Sequence, residues 1–324
     1  SMGRYKELAE AMRHGKKAIL VHSNADTDAI GSAYGLYRCF PECTICACGG
    51  VDYVANVVAD KLKIPMTYEY DPSDYDLTVV VDTSSPELLS VSVPDGSIVI
   101  DHHIPTGKWE GMRVFCDSHS VSCCEIVAEI IRETEAKLDR EIGLALLGGM
   151  LTDSGHFQFS NSDTLRHFAE IMDEGGVAMD EAISATRANI RMSERTAVLK
   201  TMERVKFERV GDMIVASAVG SSFEASACRA VTSAGADVVF VGTQRDDLFR
   251  ISARATQEMV RRGINLGEVL ENIGSEIECD GGGHIGAAGL SGIGDVEAVL
   301  GMCVSRTMDS FRHIKADMGC GPEL

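Results

Sequence analysis

The chain has 324 residues, of which 45% are hydrophobic and 24% are charged, and its formal net charge is -19. This length predicts two domains, and the composition is typical of a soluble globular protein rather than a disordered one. No apolar run approaches the roughly 20 residues that span a bilayer, and the N-terminal segment lacks the apolar stretch of a signal peptide. We therefore expect a cytoplasmic protein with no membrane partner. The acidic excess disfavours tight, sequence-independent binding of long nucleic acid.

Eleven cysteines are scattered along the chain. A chain of this length does not depend on disulfides for stability, so we expect reduced thiols. Cys43, Cys46 and Cys48 resemble half of a zinc knuckle, but no second pair with suitable spacing follows. Packing is therefore the favoured role for these three thiols.

In the first half of the chain, short apolar runs alternate with helix-like segments. The runs KAILVH, LTVVVD and SIVID occupy 17–22, 77–82 and 97–101, and apolar residues at helical spacing mark 120–135 and 141–151. This alternation predicts an α/β fold in which a parallel sheet carries helices on its faces.

Acidic and histidine side chains follow the predicted strands, at the point where each strand ends. In chain order they are His22, Asp26 and Asp28, then Asp82, then Asp101, His102 and His103, and finally Asp153 after the second predicted helix. Parallel sheets bind ligands beside the carboxyl ends of their strands, so we expect these groups to meet. Carboxylate and neutral imidazole together suit manganese, iron, cobalt or zinc. We predict a site for two divalent cations, which would activate water for phosphoester hydrolysis.

Four segments, HSNADTDAIGS, VVVDTSS, IDHHIP and GMLTDSGHF, resemble the successive motifs of the DHH phosphoesterase family and keep the family's order. DGGGHIGAAG at 280–289 resembles the glycine-rich motif of the family's associated C-terminal domain. The resemblance implies that one cation is held by His22, Asp26 and Asp82, and the other by Asp28, Asp82, His102 and Asp153. It also implies manganese as the usual ion, with cobalt or magnesium as alternatives, and an active site in the cleft between two domains.

The predicted domain boundary lies where strand-like runs resume, after about residue 207. We expect a DHH metal-binding domain over 1–190, a helical linker over 191–206 and a smaller α/β, DHH-associated, substrate-binding domain over 207–324.

Several residues near the predicted metal ligands are expected to take part in catalysis or to bind substrate. Asp101 is expected to orient a liganding imidazole by hydrogen bonding. His103, as an imidazolium, is expected to donate to a phosphate oxygen and stabilise charge in the transition state, so that the catalytic set is Asp82, His102, His103 and Asp101. His156 is expected to contact a substrate phosphate or base, at a position where the family pattern has arginine.

The second domain is expected to supply phosphate contacts. Ser252 and Arg254 alternate onto one face of a strand, and their SAR segment resembles the family's Ser-x-Arg-Ser signature. Gly282 and Gly283 would let backbone amides approach an anion, with His284 beside the phosphate. The small residues that follow, IGAAG, predict the start of a helix.

The predicted function is hydrolysis of short oligonucleotides or related nucleotide phosphoesters by metal-activated water. Alternatives are a single-stranded DNA or RNA exonuclease that works with a replication or repair protein, a cyclic-dinucleotide phosphodiesterase and a 3'-phosphonucleotide phosphatase. A non-enzymatic replication scaffold ranks lower because every expected ligand position is filled. The expected partner is a nucleotide or short single-stranded oligonucleotide, and a homodimer stays open.

Overall fold

The computed structural model describes residues 3–317 and forms two compact units, divided between Ala188 and Asn189. Cys320 and the end of the predicted second domain lie outside the described residues. Each unit has its own sheet and its own hydrophobic core. Across residues 3–317, no helix combines the length and the apolar character needed to cross a membrane.

The first unit contains a five-stranded, fully parallel sheet with the strand order β2-β1-β3-β4-β5. Its strands are β1 (Lys17–Leu20), β2 (Cys43–Cys46), β3 (Leu77–Val81), β4 (Ile98–Asp101) and β5 (Arg113–Cys116). The α/β fold class and its parallel sheet are confirmed. The edge strand β5 is not predicted, because it has only four residues and is half-exposed.

Helices cover one face of this sheet and loops cover the other. The helices are α1 (Lys6–Met12), α2 (Thr27–Cys39), α3 (Tyr53–Leu62), α4 (Cys123–Arg132), α5 (Arg140–Asp153), α6 (Ser162–Gly175) and α7 (Met179–Ala185). The opposite face, which includes Leu20, Val80 and Val99, packs against loop residues such as Tyr75 and Trp109. The expectation of helices on both faces is therefore wrong, because long connections take their place.

The second unit contains a six-stranded mixed sheet with the order β10-β11-β9-β8-β7-β6. Its strands are β6 (Lys206–Val210), β7 (Met213–Val219), β8 (Val238–Arg245), β9 (Leu248–Ala255), β10 (Asp280–Gly283) and β11 (Ala287–Ile293). Its helices are α8 (Met192–Met202), α9 (Glu224–Ala234), α10 (Gln257–Arg261), α11 (Leu266–Ile277) and α12 (Val296–Asp317). The helix α8, expected as a linker, belongs to this unit.

The glycine-rich segment forms a β-hairpin, so the predicted helix start at IGAAG is wrong. Gly281 lets helix α11 lie directly on strand β10, because a Cβ there would collide with the Leu270 carbonyl oxygen. Gly283 lets β11 approach closely, because a Cβ there would come within 2.7 Å of Ala288 Cα. Close backbone packing therefore gives both glycines a structural reason, and phosphate binding by Gly283 stays a prediction. Gly282 differs, because a Cβ there would meet open space.

Lys17 is fully buried at the start of β1, and its Nζ atom has no hydrogen-bond partner among the described residues. Burial of an unpartnered polar group costs free energy. We expect Lys17→Met to raise the free energy of unfolding by about 1 to 2 kcal/mol, measured by urea denaturation. Lys16→Met, at the exposed neighbouring position, is the control and should change little. A less stable Lys17→Met variant would contradict the assignment of Lys17 as an unpaired amine.

Candidate metal centre

The centre lies where the strand order of the first sheet reverses. From β1 the chain moves to β2 on one side and then to β3 on the other, so the carboxyl ends of β1 and β3 border a crevice. His22 lies just past the end of β1, and Asp82 directly follows β3. His102 directly follows β4, and Asp153 is the last residue of α5. Residues that are far apart in sequence thus meet at one edge of the sheet.

One group of potential ligands surrounds the imidazole of His102. The Nε2 atom of His102 lies 3.2 Å from both Asp82 Oδ1 and Asp153 Oδ2, and 3.6 Å from Asp28 Oδ2. His102 Nε2 and Asp82 Oδ1 are buried, and neither has a hydrogen-bond partner within residues 3–317. Buried polar atoms without partners are unfavourable, and a cation held among these four side chains would satisfy them.

A second group shares Asp82. His22 Nε2 lies 3.7 Å from Asp26 Oδ1 and 3.8 Å from Asp82 Oδ2. The Nδ1 atom of His22 is 2.9 Å from the Ser23 carbonyl oxygen, so Nδ1–H donates there and the Nε2 lone pair faces the carboxylates. Asp26 also caps helix α2 by accepting from the Ala29 amide. The two groups are compatible with two divalent cations that share one carboxylate.

The electrostatics of the centre match a cation site. Burial, followed by the neighbouring carboxylates, raises the pKa of Asp28 and of Asp82 well above the usual range. Burial acts to lower the pKa of His102, but the carboxylate of Asp153, 3.2 Å from Nε2, and the charge of Asp28 outweigh it and raise the pKa to about 9. Without a cation, the centre therefore holds protons near neutral pH that a divalent ion would displace.

Asp82 has a backbone φ of +53°, in the left-handed region. Among residues with a side chain, asparagine and aspartate tolerate this region best. Strained backbone of this kind often occurs at functional sites. The strain coincides here with the carboxylate that belongs to both ligand groups.

Asp101 contacts His103, and not His22 or His102 of the two ligand groups that share Asp82. The Nδ1 atom of His103 lies 2.6 Å from Asp101 Oδ1 and 4.0 Å from Asp82 Oδ1. Burial acts to raise the pKa of Asp101, but the hydrogen bond and charge of His103 prevail and lower it. Asp101 therefore orients His103, which also lies close enough to Asp82 and His102 to be a potential ligand.

The carboxylate of Asp28 is held by the first turn of helix α4, a contact that the sequence does not predict. The amide of Cys123 donates to Oδ2 at 2.8 Å and the amide of Cys124 donates to Oδ1 at 2.9 Å. Both bonds favour the charged carboxylate and fix its plane. Gly149 of α5 makes this approach possible, because a Cβ there would collide with Cys124 Sγ and lie 3.0 Å from Asp28 Cα.

We expect Gly149→Ala to weaken divalent-metal binding by about 10- to 100-fold, the range found when the support of a ligand is disturbed. Gly148→Ala is a matched control from the same helix, because its Cβ would make only ordinary contacts at 3.4 Å or more. Metal affinity measured by calorimetry should separate the two variants. Equal affinities would show that Gly149 does not position Asp28.

The loop after Asp153 has an unusual backbone. Gly155, His156 and Phe157 have consecutive φ values of +57°, +54° and +73°. The amide of His156 donates to the Leu151 carbonyl at 2.8 Å, and that of Phe157 donates to Ser154 Oγ at 2.9 Å. His156, predicted to contact substrate, lies exposed on this loop, three residues after the potential ligand Asp153, and its role stays a prediction.

The substrate residues predicted in the second unit lie on three adjacent strands. Ser252 of β9 pairs with Gly289 of β11, which pairs with Gly282 of β10. Arg254 pairs with Ala287, whose carbonyl oxygen accepts from the amide of His284, the residue that follows Gly283. A cavity of about 390 Å³ is lined by Ser252, Gly282 and their neighbours. Phosphate binding by this group stays a prediction.

The family model for the DHH family, N-terminal domain, matches residues 16–150. This stretch is a DHH-family domain. It contains all but one of the predicted metal ligands, since Asp153 lies just beyond the match. The recognition made from the four motifs is therefore confirmed.

Similarity to other proteins extends beyond this domain over most of the chain. An uncharacterised protein of Methanocaldococcus jannaschii is 27% identical over 95% of this chain and 99% of its own length. The bifunctional oligoribonuclease and PAP phosphatase NrnA of Thermus thermophilus is 27% identical over 88% of this chain and 87% of its own. The crystal structure of an exopolyphosphatase-related protein from Bacteroides fragilis has the same fold, with a TM-score of 0.58, 15% identity and coverage of 96% and 98%.

Proposed function

We propose that this DHH-family phosphoesterase is a two-metal phosphodiesterase that cleaves short oligonucleotides and related nucleotide phosphoesters. The observation that carries the proposal is the pair of ligand groups that share Asp82, with His102 Nε2 and Asp82 Oδ1 buried and unpartnered. Similarity to NrnA, an oligoribonuclease and PAP phosphatase, supports a nucleotide substrate. Manganese as the ion and the cytoplasm as the location belong to the same proposal.

The side chains divide the work of hydrolysis. His22, Asp26 and Asp82 would hold one cation, and Asp28, Asp82, His102 and Asp153 the other. When bound, two divalent cations supply Lewis-acid stabilisation of phosphoryl charge and lower the pKa of an attacking water. His103, held by Asp101 at 2.6 Å, would donate from its other ring nitrogen to a phosphate oxygen. Arg254 of the second unit is a residue type that suits bidentate phosphate contacts, and its part in substrate binding stays a prediction.

A substrate screen with manganese, cobalt or magnesium tests the proposal. The substrates are end-labelled RNA dinucleotides, longer single-stranded RNA and DNA, cyclic dinucleotides, 3'-phosphoadenosine 5'-phosphate and pyrophosphate. We expect cleavage of the dinucleotides into mononucleotides, with weaker activity on long strands because the chain is strongly acidic. Preference for long DNA would favour the exonuclease alternative, and absence of cleavage with every ion would favour the scaffold.

A second candidate activity is removal of the 3'-phosphate from 3'-phosphoadenosine 5'-phosphate. It is favoured by the same relative, NrnA, whose name includes both activities. The same ligand groups would serve both reactions, because each hydrolyses a phosphoester bond of a nucleotide. A competition assay in which the dinucleotide inhibits release of phosphate would indicate one shared site.

A further inference from the structure

The loop after the metal ligand Asp153 presents an aromatic ring to solvent. Phe159 is 69% exposed, whereas Phe157, two residues earlier, packs edge-on against Phe168 with ring centroids 4.8 Å apart. Isolated exposed apolar residues are common on protein surfaces and carry no meaning alone. Phe159 differs because of where it lies and how firmly its backbone is held.

The backbone of Phe159 is tied to the segment that carries Asp153. Its amide donates at 2.9 Å to the carbonyl oxygen of Ser154, the residue that follows Asp153. Asp153 Oδ2 is in turn 3.2 Å from His102 Nε2. The aromatic ring therefore lies on the loop that directly follows a potential metal ligand, and its carbons approach Gly155, two residues after Asp153.

The loop that carries Phe159 is anchored at both ends of its tight turn. Phe157 fixes it to the core, and the Ser160 hydroxyl donates to the Phe157 carbonyl at 2.7 Å. The Phe159 ring lies against Gly155: a Cβ at that glycine would come within 3.1 Å of two ring carbons. One side of the ring thus rests on backbone without a side chain, and much of the ring stays open to solvent. An anchored loop that keeps an aromatic ring exposed loses little entropy when a flat ligand stacks on it.

A second ligand-bearing segment also exposes an apolar side chain. Ile104 directly follows His103 and is 80% exposed. The carbonyl oxygen of His103 accepts from Cys116 Sγ at 3.0 Å, so the backbone of this segment is also held in place. Two segments that carry potential ligands therefore each expose an apolar side chain, an arrangement suited to a ligand with both phosphate and a flat apolar part.

We propose that Phe159 is the stacking platform for a nucleobase next to the scissile phosphate, with exposed His156 on the same loop. The proposal rests on the proposed function and narrows its substrate to base-bearing phosphoesters rather than inorganic polyphosphate. Aromatic side chains bind bases of any sequence because every base has a π-face. Phe159 therefore supplies affinity without strong base preference.

The kinetic test compares an RNA dinucleotide with the same compound lacking both bases. We expect Phe159→Ala to raise KM for the normal dinucleotide by about 10- to 100-fold, to change kcat little, and to leave KM for the abasic compound unchanged. Phe159→Trp should restore the wild-type KM. The control is Phe207→Ala, which removes an equally exposed ring, 67% accessible, from β6 in the second unit. Equal effects of Phe159→Ala on both substrates, or none on either, would overturn the stacking role.

A binding test separates stacking from hydrolysis. A 2-aminopurine dinucleotide with a non-hydrolysable methylenephosphonate linkage is titrated in magnesium buffer, and stacking is read as quenching of its fluorescence. Wild-type protein and Phe207→Ala should quench it strongly, and Phe159→Ala should not. If quenching depends on Phe159 while no substrate is cleaved, the proposed hydrolysis is wrong and the stacking site stands. If quenching is absent, or persists in Phe159→Ala, the stacking proposal is wrong whatever the protein cleaves.

Discussion

Asp82→Asn is expected to reduce kcat/KM for a dinucleotide by about a thousandfold or more, a loss of about 4 kcal/mol of transition-state stabilisation. The reason is that Asp82 is the carboxylate common to both ligand groups, with Oδ1 toward His102 and Oδ2 toward His22. A neutral amide would weaken both cation sites together. Initial rates with manganese, and metal content after dialysis by mass spectrometry, measure the two effects. We expect two bound ions in the wild type and one or none in the variant.

Asparagine is the appropriate replacement because Asp82 has a φ of +53°. Alanine would add backbone strain to the loss of charge, whereas asparagine keeps the size and tolerates the left-handed region. Asp246→Asn is a matched control: Asp246 has a φ of +56° and lies exposed between β8 and β9 in the second unit. It should keep full activity and both ions. Full metal content in Asp82→Asn would contradict the shared-ligand assignment.

The ligand-bearing part of the fold is largely predictable from sequence. Buried parallel strands are continuous apolar runs, and β3 and β4 end within a residue of the predicted positions. His22, Asp82 and His102 are predictable because ionisable residues directly after such strands must lie at one edge of a sheet. The chemistry follows from residue type, and the assignment to two groups came from resemblance to the family.

Other features depend on contacts that no local pattern encodes. Asp28 is held by amides 95 and 96 residues away in sequence, so the support of its carboxylate is a property of tertiary packing. The S-x-x-E pattern of Ser122 and Glu125 does predict where α4 begins, but not what its free amides bind. The glycine hairpin was mistaken for a helix start because small residues carry no periodicity. Sequence order also does not show which histidine ring Asp101 faces, and the structure places it against His103.

Removing the cations is expected to make the stability of the protein depend on pH in a defined direction. The pKa of His102 in the folded, cation-free protein is about 9, above the unfolded value of about 6.5. A group whose pKa is raised on folding stabilises the folded protein fully at pH values below the pKa of the unfolded state. This stabilisation is lost as the pH rises through the pKa of the folded state. The raised pKa of Asp82 acts in the same direction. The cation-free protein should therefore become less stable between pH 6.5 and 9.

Divalent cations should reverse this loss, because they bind the deprotonated ligands that destabilise the empty centre. An ion at 100 times its Kd adds about 2.7 kcal/mol, which corresponds to a rise of about 5 to 10 °C in Tm for a unit of this size. The rise, measured by calorimetry with magnesium against chelator, should be small at pH 6.5 and larger at pH 8.5. Asp82→Asn should flatten this dependence and raise the Tm of the cation-free protein at pH 8.5, because it removes one buried charge from the cluster. A Tm gain that is equal at both pH values would mean that protons and cations do not compete for these side chains. The stabilising ions would then bind outside this centre.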